Sequence, residues 1–192
     1  MNREKMHKLA LFLEDLDSDR FNIGYWVSQS QMWNSELDFV EGYSLDTNIC
    51  NTAGCIAGWA VALENNGKIS IVEYLDEDDD GSDYCNACDD YHQINNCPKG
   101  YTLIDLGNIQ EIASDILGLD RRQSERLFIP DRFSVWNQYA SDYGLECSNL
   151  YVHYTNIHPK HAADMIYRIL NGEVNLDEQW NPDSYDYCGD DL

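Results

Sequence analysis

Positive charge is scarce in this chain. Only 12 Lys and Arg stand against 35 Asp and Glu, a formal net charge of −23 over 192 residues. Direct binding to nucleic-acid phosphates or to anionic lipid headgroups would have to work against that field, so neither is expected as the ligand. Long apolar runs are also missing: no stretch approaches the roughly 18 residues that a membrane span requires. Near the N-terminus, Leu9-Ala10-Leu11-Phe12-Leu13 follows three bases but runs straight into Glu14-Asp15-Leu16-Asp17. That is the wrong flank for a secretory leader, and a cytoplasmic location is expected. There is no Gly-rich phosphate loop, no H-E-x-x-H and no nucleophile elbow around a serine. Seven cysteines are many for this length, but an odd count in a reducing compartment argues against a full disulfide framework.

What is present argues for a folded object. The chain is 43% hydrophobic and 12% aromatic, too apolar for a disordered acidic tail and enough for one compact domain. Met6, Leu9, Leu13 and Leu16 recur at helical spacing, predicting an amphipathic helix over 3–16. From Thr52 to Asn65 nearly every position is apolar, as in a central buried helix, with Asn51 or Thr52 as cap and Asn65-Asn66-Gly67 as a left-handed exit. Lys68 to Leu75 has the pattern of a short strand. Ile109, Ile112, Ala113, Ile116 and Leu117 predict a helix ending at Gly118; another follows from Asp120 to Phe128, and a last one opens at Pro159 and stops at Asn171-Gly172. Phe21 to Val27 has the composition of an extended piece, and 133–154 fits neither template. The expected fold is mainly α: a single compact helical domain over 1–172 with a short strand or hairpin element and an acidic, cysteine-rich loop insertion at 76–100, then an acidic tail over 173–192.

The string Cys50-Asn51-Thr52-Ala53-Gly54-Cys55-Ile56-Ala57-Gly58-Trp59-Ala60 resembles the signature C-G-T-x-x-C-I-A-G-[HW]-A of a family of small uncharacterised phage and bacterial proteins. Ala113 to Leu119, Gln123, Leu127-Phe128-Ile129-Pro130 and the late helix at Pro159 are similar too. The resemblance implies a viral or mobile-element setting and a mainly helical fold, and it implies no chemistry. The insertion at 76–100 and the acidic tail fall outside it.

Chemistry-bearing residues concentrate in that insertion. Cys85-x2-Cys88-x3-His92-x4-Cys97 offers three thiolates and an imidazole, the donor set of a structural zinc, with spacing near that of a zinc knuckle. Loop thiols that merely cluster would give the same string. Asp76-x-Asp78-x-Asp80-Gly81 reproduces the opening of a calcium loop, with Asp83, Asp89 or Asp90 as late ligands, but Ala87 stands where a bidentate Glu is usual. Cys55, at the start of a buried helix, is the nucleophile candidate, with His153, His158 or His161 as base; a small core residue is the simpler reading.

Charge itself is the remaining signal. Between Lys68 and Lys99 there are nine acids (Glu73, Asp76, Glu77, Asp78, Asp79, Asp80, Asp83, Asp89, Asp90) and no base; from Glu173 to the end there are seven acids and no base. Twenty-three charges at duplex spacing correspond to roughly 39 Å of DNA axis. A globule of this size is about 40 Å across. The expected function is therefore an inhibitor-type binding protein that engages a basic, nucleic-acid-binding host protein by imitating DNA. Its contact residues would be Asp76, Glu77, Asp78, Asp79, Asp80, Asp83, Asp89 and Asp90, with Asp183, Asp186 and the ring anchors Trp180, Tyr185 and Tyr187 in the tail. A metal-stabilised interaction module is the second reading and a Cys55 thiol enzyme the third; the same acidity would also arise from solubility alone.

Overall fold

A computed structural model describes residues 1–21, 23, 27–29, 43–46, 52–72, 82–85, 90–93, 97–129, 135–143, 147–148, 151–152 and 157–178. In chain order the helices are α1 (Arg3–Glu14), α2 (Ile56–Glu64), α3 (Ile109–Leu117), α4 (Arg121–Phe128), α5 (Val135–Tyr143) and α6 (Pro159–Asn171). The strands are β1 (Val27–Gln29), β2 (Tyr43–Asp46), β3 (Thr52–Gly54), β4 (Lys68–Val72), β5 (Ser82–Cys85), β6 (Asp90–Gln93), β7 (Thr102–Asp105), β8 (Cys147–Ser148) and β9 (Tyr151–Val152). The fold is mainly α, in a single compact domain.

Its centre is α2. From Ile56 to Ala62 every residue is buried, as the unbroken apolar run requires, and α3 packs against it. Trp59, wholly buried, donates its indole N–H to the Arg20 carbonyl (3.1 Å) and lies against Phe12 at 5.0 Å between ring centroids. The helix leaves through Asn66 (φ 54°) and Gly67 (φ 79°), the left-handed pair expected there. Its start differs from the expectation. Thr52–Gly54 is not a first helical turn but β3, antiparallel to β1, and Cys55 is the extended residue that precedes the helix. Pairing with β1 gives those backbone groups partners that an added helical turn would otherwise have supplied.

Around α2, α1 packs on α6, and the periodic stripes supply the buried residues: Met6, Leu9, Ala10 and Leu13 from α1; Ala162, Met165, Ile166 and Ile169 from α6. A capping box at Asp120 and Gln123 starts α4. Gly118 closes α3 at φ 62°; a Cβ there would come within 2.9 Å of the Asn2 nitrogen, whose N–H donates to the Leu117 carbonyl. Glycine at this position is what lets the N-terminal residues close over the end of α3. The ambiguous region contains α5 and the β8–β9 pair. Beyond Gly172 the chain stays on the body: Leu176 is buried, and Arg126 of α4 donates to the carbonyls of Asn175, Leu176 and Glu178.

A three-stranded sheet, β2-β4-β7, lies under α2, with β2 antiparallel and β7 parallel to β4. Leu45, Ile69 and Ile104 share its core face. Two strands of the sheet, β2 and β7, had no counterpart in the sequence reading; both are short, and the Tyr43-Ser44-Leu45-Asp46 alternation is too brief to stand out. A parallel β4–β7 pair needs a crossover of a dozen or more residues. The acidic insertion is therefore that crossover, and it contains the antiparallel β5–β6 hairpin.

Candidate functional site

The hairpin gathers several of the singled-out residues. Its register pairs Asp83 with His92, Tyr84 with Tyr91 and Cys85 with Asp90. Positions two apart along a strand share a face, so Asp83, Cys85, Asp90 and His92 belong to one face of the ribbon. Strand β5 falls within the second half of a calcium loop counted from Asp76, and the closing position of that loop is Ala87, which has no carboxylate to offer. Asp76, Glu77, Asp78, Asp79, Asp80, Cys88, Asp89, Trp180, Asp183, Tyr185, Asp186 and Tyr187 lie outside the described residues. Among the described residues no group of three His, Cys, Asp or Glu side chains converges on a point that could hold a metal. Cys97 is buried, yet with Tyr101 and Leu103 it stands apart from the main core cluster.

Cys55 fits the description of a core residue. It is 1% exposed, and burial pushes its thiol up from the ordinary 9.0 to about 11, against a smaller downward pull from the amides of Gly58 and Ala57. A helix N-terminus lowers a thiol only when solvent or a charged partner shares the work; here desolvation wins. The histidines considered as bases are engaged elsewhere. The His158 backbone N–H donates to His161 Nδ1 (3.2 Å), the two imidazole rings lie 5.4 Å apart, and the His161 ring lies 5.8 Å from Tyr139. His153 lies outside the described residues.

A dense polar cluster among the described residues was not picked out from the sequence. Between α5 and α6, Arg168 donates to the Tyr143 hydroxyl (2.5 Å) and pairs with Asp164 (3.2 Å) and Asp142 (3.4 Å). Its guanidinium lies 4.9 Å from the Tyr143 ring centroid, and Tyr143 stacks on Tyr139 at 4.4 Å. Burial and the neighbouring Asp164 raise the Tyr139 hydroxyl well above its ordinary range. Two i,i+4 pairs, Tyr139 with Tyr143 and Asp164 with Arg168, are the signal that could have found it. The arrangement is a self-satisfied clamp between two helices.

The clamp typifies how this protein uses its bases. Lys5 pairs with Glu64 (2.7 Å) and Arg121 with Glu125 (2.9 Å). Arg3 donates to the Leu170 carbonyl (2.5 Å), Arg126 holds three carbonyls, Arg20 lies over Trp59, and Lys68 donates to the Lys99 carbonyl. All the Lys and Arg except Arg132 belong to described residues. The acids are placed differently. Asp17 and Asp19 are exposed at the start of the short 3-10 turn Ser18–Arg20 that follows α1, and Glu14 and Asp15 are exposed at the C-terminal end of α1 itself, which has no base in its last turn. That is the negative end of the helix dipole, where acids are electrostatically disfavoured. No helix among the described residues is long and apolar enough to cross a membrane. No family model, no curated protein and no solved structure matches the chain.

Proposed function

We propose that this chain is a binding protein that presents an anionic surface to a basic, nucleic-acid-binding protein and competes with the nucleic acid for it. The observation that carries this reading is the division of charge. Arg3, Lys5, Arg20, Lys68, Arg121, Arg126 and Arg168 are spent on carbonyls, rings and ion pairs within the fold, and only Lys8, Lys99, Arg122 and Lys160 among the described bases are exposed beyond that set. Most of the 35 acids, by contrast, have no base to meet, and exposed acids stand even at the end of α1, where the helix dipole opposes them. The runs at 76–90 and after Gly172, without a base, extend the array. With the resemblance at Cys50–Ala60, the partner is a basic host protein met in the host cytoplasm; neither DNA nor an anionic membrane is the direct ligand. Cys55 has no catalytic part in this reading.

The test is a pull-down from host lysate with the tagged protein at about 50 and 500 mM salt, with and without duplex DNA. The expected partner is basic, is released at high salt because exposed charges are screened within about 8 Å or less, and is displaced by duplex. A partner that is acidic or neutral at the contact, or a complex left intact by salt and saturating duplex, overturns the reading.

A further inference from the structure

We draw no further inference here: the strongest candidate, the imidazole pair of His158 and His161 at the N-terminus of α6, with rings 5.4 Å apart and His161 beside Tyr139, is a helix start whose own capping hydrogen bond (3.2 Å) occupies His161 Nδ1, and no second observation among the described residues points to a ligand there.

Discussion

Helix α2 and the β5–β6 hairpin both carry cysteine, and their surroundings are opposites. After Cys55 the chain meets no charged residue until Glu64, and every residue from Ile56 to Ala62 is buried. Around Cys85 the neighbours are Asp83, Asp89 and Asp90, and the nearest base on either side is Lys68 or Lys99. In the first setting a thiol is a small apolar volume, held neutral by desolvation. In the second the flanking residues are charged, and the spacing of the cysteines becomes the informative feature.

The comparison is easiest to break at its apolar side. Trp59→Ala removes the largest wholly buried side chain of α2 together with its hydrogen bond to Arg20. Urea unfolding should show a loss of about 3–5 kcal/mol; a loss below about 1 kcal/mol would mean that α2 is not the centre of the core.

Cys55 sharpens the contrast between the two thiol settings. Cys55→Ala should cost about 1–2 kcal/mol and leave partner binding unchanged. The thiol also predicts an alkaline signature. Unfolding frees it to ionise at 9.0 whereas the folded state holds it to about 11, so its contribution is intact below about pH 9 and falls as pH rises toward 11. The loss is on the order of 2–3 kcal/mol, and Cys55→Ala should flatten that part of the stability profile. Rapid labelling of native Cys55 by iodoacetamide at neutral pH would contradict burial.

The smallest effect concerns the sheet face away from α2. The Ser70 hydroxyl is wholly buried with no hydrogen-bond partner among the described residues. Ser70→Ala should be neutral or stabilise by up to about 1 kcal/mol, read from the denaturation midpoint. A clear loss would show that the hydroxyl is used on that face.

The legible parts of the fold were those with long periodic signals. The stripes of α1, α3 and α6, the capping pair Asp120 and Gln123, and the exits at Gly67, Gly118 and Gly172 are local, and local physics fixes them. The start of α2 was misplaced by four residues because Thr52-Ala53-Gly54 runs into the helix with no charge or proline to mark a boundary, and only its pairing with β1, far back in sequence, makes it a strand. The same reason hid β2 and β7, whose partners are distant and whose lengths are four residues each. The insertion was visible by composition, but its topological role as the β4–β7 crossover was not, since nothing local announces a parallel pair. Of the site, the cysteine and histidine spacing was legible, and the shared face of Cys85 and His92 required the register. The Arg168 clamp escaped because its halves sit on α5 and α6, and only tertiary packing brings the two helices together.

The division of charge is the central claim, and association kinetics test it most directly. With the captured partner in hand, the association rate should fall steeply as salt rises from about 50 to 500 mM. Reversal of Asp78, Asp79 and Asp80 to Lys should slow association at low salt much more than it speeds dissociation, because peripheral charges steer encounter more than they hold the complex. An association rate indifferent to both salt and reversal would contradict the account and leave the acidity of this protein with no part in recognition.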